Sequence, residues 1–341
     1  MKRGIAIFLF LLLFLPSLSA CERRPKEKTY YSYFDTFTTI SSYAKEKEAD
    51  FLANCEAAAA LLSHYHKLFD IYNAYDGVNN LYTVNQMAGM SPVEVEQELT
   101  DFLLYTKKIH TLTVGETNVA MGAVLSLWHD ARETALSGGK TALPDGDTLS
   151  EASLHTSIDG LVIDETAHTV YLSDSAMSLD VGAIAKGYAV EKVAALLAER
   201  GVTGYVLNVG GNLRTIGTKP GGEGWVTGVR DPESDGLLAR FTVTEASLVT
   251  SGNYERYYTV DGKRYHHIID KDTLFPAHGF SSVTVYAADS GLADALSTAL
   301  FCMTYEDGTR LLSSLPDAEA LWVTEEGELL MTDGMRQKLL P

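Results

Sequence analysis

The chain has 341 residues, 46% of them apolar, and its 45 acidic against 27 basic side chains give a formal net charge of −18. That length can bury a sizeable core in one or two lobes, and the apolar and aromatic content is too high for a disordered chain. The acidic balance leaves no basic stripe to meet nucleic-acid phosphates, and three cysteines (Cys21, Cys55, Cys302) cannot make a disulfide framework or a four-cysteine zinc site.

The first feature in chain order is an export signal. Lys2 and Arg3 precede an apolar run, Ile5 to Leu15, which is shorter than the roughly 20 residues of a membrane span. It ends in Leu18-Ser19-Ala20-Cys21, which resembles the lipobox of bacterial lipoproteins; the alternative is an ordinary signal with an incidental cysteine. The lipobox reading implies a signal peptide at residues 1–20, a lipidated Cys21 with a charged tether through residue 29, and a body at residues 30–341. That body is expected to be exported and anchored to the cell membrane by the lipid on Cys21.

Within the body, Tyr30 to Tyr43 is rich in Tyr, Phe, Thr and Ile and predicts strands. Asp50 to Phe69 carries apolar residues at helical spacing, and Ser91-Pro92 is a start signal for a second helix over Val93 to Thr113. A third helical stretch covers Val119 to Arg132. Ile158 to Leu172 alternates as a hairpin does, and Ser178 to Asp180 ends a strand. Ala183 to Arg200 is a strong amphipathic helix stopped by Gly201. Strands follow at Tyr205 to Val209, Trp225 to Val229 and Leu238 to Val243, then a hairpin at Tyr257 to Asp270. Ser282 to Ala287 is a strand and Ala293 to Met303 a helix; a last hairpin joins Ala320 to Val323 with Leu329 to Thr332. Irregular alternation with tight turns predicts mixed α+β, a single compact unit of two lobes with mixed sheets and packed helices.

Five segments could carry chemistry. Leu179 to Tyr188 runs from a strand through Gly182 into a helix whose first N–H groups, with Lys186, suit an anion; a plain strand–helix junction is the bland alternative. Val209-Gly210-Gly211-Asn212 allows close backbone approach or is simply a tight turn. Thr250 to Arg256 offers the Ser251 hydroxyl and the Gly252 N–H to a phosphate, or is a polar turn. His266 and His267, adjacent on a strand, face opposite sides and cannot chelate one metal together. Asp294 and Thr298 share a helix face and offer hard oxygen ligands for Mg²⁺ or Ca²⁺; a charged helix start is the alternative.

Taken together, in this order and spacing, the segments resemble the ApbE-type flavin transferases, which attach the FMN half of FAD to a Ser or Thr of a target protein. Gly224-Trp225, Arg230-Asp231-Pro232 and Phe34-Asp35-Thr36-Phe37 add to the match, which runs from about Tyr33 to Met335. The resemblance implies Mg²⁺ held by Asp294, Thr298, Ser297 and the Ala183 carbonyl, with Asp180 and Lys186 lining the FAD site. It also implies Ser251, His267 and Ile268 beside the phosphates, Phe34 and Tyr72 near the isoalloxazine, and Thr117, Asn118 and Val119 bordering the ligand. His267 is the candidate for proton transfer or phosphate stabilisation, and Asp294 is the second catalytic candidate.

The implied partners are FAD and, as FMN acceptors, extracytoplasmic flavoprotein subunits of membrane redox complexes; no nucleic acid is expected. Two departures from the family pattern stand out. Asp-Pro-x-Thr-Gly is here Asp270-Lys271-Asp272-Thr273-Leu274, and Met-Gly is here Phe34-Asp35. Competing functions are an FAD-holding lipoprotein without transfer, an FAD hydrolase yielding FMN and AMP, and a solute-binding lipoprotein, for which no hinge pattern is evident.

Overall fold

Along the strand Ser247–Gly252, Leu248 and Val249 point to opposite faces and both are buried, so the sheet that contains them is covered on both sides. The computed structural model describes residues 25–341 except 232, 233 and 235. The expected signal peptide, Cys21, the first part of the tether and Pro232 lie outside the described residues.

In chain order the strands are β1 (Lys26–Tyr33), β2 (Thr36–Ser42), β3 (Val93–Glu94), β4 (Leu161–Asp164), β5 (Thr169–Leu172), β6 (Tyr205–Val209), β7 (Asn212–Ile216) and β8 (Trp225–Arg230). They continue as β9 (Leu237–Val243), β10 (Ser247–Gly252), β11 (Tyr257–Val260), β12 (Lys263–His266), β13 (Phe280–Ala287), β14 (Glu319–Thr324) and β15 (Leu329–Met331). The helices are α1 (Glu48–Phe69), α2 (Leu81–Gln86), α3 (Gln97–Leu112), α4 (Gly122–Leu136), α5 (Gly146–Ser153), α6 (Ala185–Glu199), α7 (Ser290–Cys302), α8 (Tyr305–Leu312) and α9 (Asp333–Lys338).

An antiparallel eight-stranded sheet runs β1-β2-β6-β7-β10-β13-β14-β15. On one face, Val249, Val283, Val285 and Trp322 pack with Leu296 and Leu300 of α7. On the other, Leu248 and Leu321 pack with Phe241 and Val243 of the β8–β9 hairpin and Met335 of α9. The largest core joins α1, α2, α3 and α6 through Leu62, Leu81, Phe102, Tyr188 and Val193. A smaller satellite core gathers around Trp128 of α4, Leu149 of α5 and Tyr258 of β11. The mixed α+β expectation holds.

Four local readings change. Lys26 to Thr29, expected within the tether, pair in β1 with residues Thr39 to Ser42 of β2. Val93 does not open a helix: Val93 and Val95 are buried while Glu94 is exposed, and Val93 and Glu94 pair with β5. A period of two wins there, and α3 starts only at Gln97. Ser178 to Asp180 is not a strand; it touches the Val119–Gly122 backbone at a single bridge and at Asp180, and between those points Leu179 is held by a side chain. Asn85 accepts from the Leu179 N–H at 2.7 Å and donates to the Leu179 carbonyl at 3.0 Å, as a neighbouring strand would. The helix expected from Ala183 begins at Ala185, because Asp180 draws the Gly182 N–H into a turn at 2.8 Å.

The contact between α6 and α7 depends on one missing atom. A Cβ on Gly187 would lie 2.3 Å from the Ser290 carbonyl oxygen and 2.5 Å from Asp294 Cβ. Alanine in a helix interior ordinarily stabilises by up to about 1 kcal/mol over glycine. Here Gly187→Ala should instead destabilise, by roughly 1–3 kcal/mol from forced separation of the helices. Thermal or urea unfolding gives the sign, and a variant as stable as the wild type would refute the close-packing account.

Candidate functional site

Asp294 sits in the first turns of α7, 4% exposed, and points at the start of α6. The Gly187 N–H, unpaired within α6 by its place near the N-terminus, donates to Asp294 Oδ2 at 2.8 Å. A carboxylate is the favoured occupant of that end of a helix dipole. Lys186 Nζ lies 3.6 Å from the same oxygen, and Asn212 at the start of β7 donates to Oδ1 at 3.4 Å. Burial pushes the Asp294 carboxyl up; Lys186, the Gly187 N–H and Asn212 pull it back. The helix start expected to receive a ligand anion therefore already holds one of the protein's own.

Beside Asp294 are three hydroxyls. Ser251 Oγ, on β10, is 2.8 Å from Ser297 Oγ and 3.3 Å from Thr298 Oγ1. Ser297 donates back to the Asp294 carbonyl at 2.8 Å. The oxygen of the Asn212 side chain is buried without a hydrogen-bond partner among the described residues. Carboxylate, hydroxyl and amide oxygens together are a hard donor set, which suits Mg²⁺ and does not suit zinc. The Ala183 carbonyl lies in the turn between Asp180 and α6.

The two histidines divide as their strand positions require. His266 is buried, with Nε2 2.8 Å from the Ala277 carbonyl, and is structural. His267 is exposed by surface area yet recessed among protein groups. That crowding, and then Arg256, hold its imidazole well below its ordinary range, so it is neutral at pH 7. Its Nδ1 lies 3.2 Å from the Arg256 carbonyl, which can only accept, so Nδ1 carries the proton and Nε2 keeps a lone pair. Asp180 is raised by burial, against the Gly182 N–H, His129 and Arg256.

Tyr72 is 53% exposed and borders this cleft, close enough to feel the charges of Asp180 and Arg256. Its loop is organised by the buried Asp70, which accepts from the N–H groups of Tyr72 at 2.7 Å and Asn73 at 3.0 Å. Asp70 also takes the Asn73 amide and the Tyr75 hydroxyl. Phe34 stands at the β1–β2 turn, edge-on to His66, with its N–H 3.3 Å from His66 Nδ1. That turn meets the β6–β7 turn, where Gly210 donates to the Phe37 carbonyl, two residues before Asn212.

Four expected site residues do not present side chains to the cleft. The Thr117 hydroxyl is buried and donates to the Ala295 carbonyl at 2.9 Å. Asn118 donates to the Thr156 carbonyl at 2.9 Å and accepts from the Ala120 N–H. Val119 and Ile268 are core residues. The Val119 backbone still serves the site, since its carbonyl accepts from Asp180 N–H at 2.9 Å. Sequence reasoning missed Asn212 as a partner of Asp294, Asn85 as the clamp on Leu179, and His129 and Arg256 near Asp180. Arg256 and Asn212 fell within segments already singled out; His129 gave no local signal.

Both departures from the family pattern keep the backbone that glycine favours. Asp35 has φ +52° and Leu274 has φ +61°, each in the place of the pattern's glycine. The Leu274 side chain packs on the satellite core, and its carbonyl accepts from the Trp128 indole at 2.9 Å. These contacts offset about 1–2 kcal/mol of left-handed strain.

A model of the ApbE family matches residues 34–322. A relative named FAD:protein FMN transferase, from Treponema pallidum (strain Nichols), is 32% identical over 344 residues, covering 95% of this chain and 92% of its own. One of the same name from Klebsiella pneumoniae (strain 342) is 31% identical over 284 residues, covering 82% and 85%. Among solved structures, an ApbE protein from Thermotoga maritima matches with a TM-score of 0.81 at 28% identity, across 93% of this chain and 100% of that one.

The Asp70 donors hold its carboxyl below the ordinary carboxylate range, against the opposing effect of burial. Its stabilising contribution is then complete above the unfolded pKa near 4 and is lost as pH falls through the lower folded value. Asp70→Asn should cost about 1–3 kcal/mol at pH 7. The gap from wild type, measured by urea unfolding, should narrow below about pH 4.

Proposed function

This chain belongs to the ApbE family, and we propose that it is an FAD:protein FMN transferase that moves the FMN moiety of FAD onto a Ser or Thr hydroxyl of an acceptor flavoprotein, with AMP released. The observation that carries this reading is the buried Asp294, held by Gly187 and Lys186 beside the Ser251, Ser297 and Thr298 hydroxyls.

The bond that forms joins the acceptor oxygen to the FMN-side phosphorus, and the bond that breaks is the pyrophosphate link to AMP. Charge repulsion and poor positioning dominate such a barrier. His267 Nε2, unprotonated at neutral pH, can take the proton from the acceptor hydroxyl. Lys186 and Arg256 place positive charge around the cleft. Asp294, Thr298, Ser297 and the Ala183 carbonyl are the residues that would hold Mg²⁺, and the unpartnered Asn212 oxygen supports an oxygen-ligand ion there. Such an ion supplies charge neutralisation and Lewis acidity at the pyrophosphate.

The leader supports an exported protein held to the membrane by lipid on Cys21, near extracytoplasmic redox flavoproteins as acceptors. The first described strand begins at Lys26, so the body starts a few residues beyond that cysteine. No helix of the described residues is long and apolar enough to cross a membrane.

The wild type with FAD, Mg²⁺ and an acceptor should yield AMP and a covalently flavinylated acceptor, read by mass spectrometry. Asp294→Ala should lower the rate by about 100-fold or more, the scale on which loss of one preorganised electrostatic group acts. AMP with only free FMN would make it a hydrolase; retained FAD without turnover would make it a binder. Separately, Cys21→Ser should move the protein from the membrane fraction to the soluble exported fraction.

A further inference from the structure

Among the described residues, one ring stacks on Tyr72. The His129 ring of α4 stacks on it at 5.0 Å between centroids with 28° between planes, and the Tyr72 hydroxyl is 3.3 Å from His129 Nδ1. Arg132, one turn along α4, sets its Nη2 3.3 Å from the same nitrogen. A guanidinium can only donate, so Nδ1 accepts and the His129 proton lies on Nε2. Burial, and then the nearby Asp180, push the Tyr72 phenol up to about 12, so its hydroxyl keeps its proton and shares the single Nδ1 lone pair with Arg132. Arg132 is itself tied to Glu133 at 3.0 Å. The chain of contacts runs Glu133, Arg132, His129, Tyr72, while Asp70 fixes the Tyr72 backbone.

We propose that His129, held by Arg132, is a positioning residue that braces the Tyr72 ring as a platform for a planar aromatic ligand, the isoalloxazine of FAD, on the opposite face of that ring. This rests on the functional reading above. More than half of Tyr72 is exposed although one face is covered, and the ring borders Asp180 and Arg256 of the cleft. An unsupported tyrosine on a loop loses rotamer freedom on stacking, and a ring already stacked has less to lose. The brace comes from α4, a different element from every residue that gathers around Asp294.

The test is FAD binding by the full chain, read by quenching of flavin fluorescence, with unfolding curves as a fold control. His129→Ala should weaken FAD binding roughly 3- to 10-fold, the range of one aromatic pair. His129→Phe, which keeps the stack, should restore most of the affinity, and Arg132→Ala should give a smaller loss. In a Tyr72→Ala background, His129→Ala should cost little more. Equal losses with and without Tyr72, or wild-type binding by His129→Ala, would overturn the brace while leaving the transferase reading standing. If His129→Ala fails to fold, the Phe and Arg132 variants decide by the same criteria. Failure of the wild type to bind FAD would overturn both.

Discussion

The site depends on one contact: a buried carboxylate on α7 accepting a hydrogen bond from a helix-start N–H of α6. Removing an ionised carboxyl from water is costly unless donors and charge replace the lost hydration. Asp294 finds the Gly187 N–H, the Lys186 ammonium and the Asn212 amide. The contact is possible only because residue 187 has no Cβ, so the helix backbones approach closely. That approach also carries Ser297 and Thr298 to Ser251 on the central strand β10. The oxygen cluster is thus a consequence of helix packing.

The sheet supplies the rest by turning its strands at the right places. The β6–β7 turn delivers Asn212, and the β11–β12 hairpin ends one residue before His267. Strand parity then separates His266, bonded inward to Ala277, from His267, which faces the cleft. Where no strand is available, side chains substitute: Asn85 grips both backbone groups of Leu179, and Asp180 folds the chain back at Gly182. Left-handed backbone at Asp35 and Leu274 shows that turn geometry was retained although the glycines were not. Packing of Leu274 against the satellite core is the compensation.

A chain of net charge −18 is a poor host for a pyrophosphate on average. Locally the balance is evened: Lys186 and Arg256 stand near Asp180, Asp294 and His267, so positive charge is placed at a few points within an acidic body. The same crowding that keeps His267 unprotonated also weakens it as a base, so its lone pair is available at neutral pH but binds a proton less strongly than a free imidazole.

Sequence alone determined what depends on near neighbours. The periodicity of α1 and α6, the shared face of Asp294 and Thr298, the alternation that sends His266 and His267 apart, and the order of the motifs were all legible. These follow from backbone geometry, which repeats every two or 3.6 residues and leaves its mark locally. Only the tertiary structure decided which polar groups were already committed. Thr117 reaches Ala295 across 178 positions, Asn212 reaches Asp294 across 82, and Asn85 reaches Leu179 across 94. A hydrogen-bonding side chain looks the same in sequence whether it faces a ligand or holds another strand. Burial and the partner's position separate the two roles, and both are set by how distant segments pack.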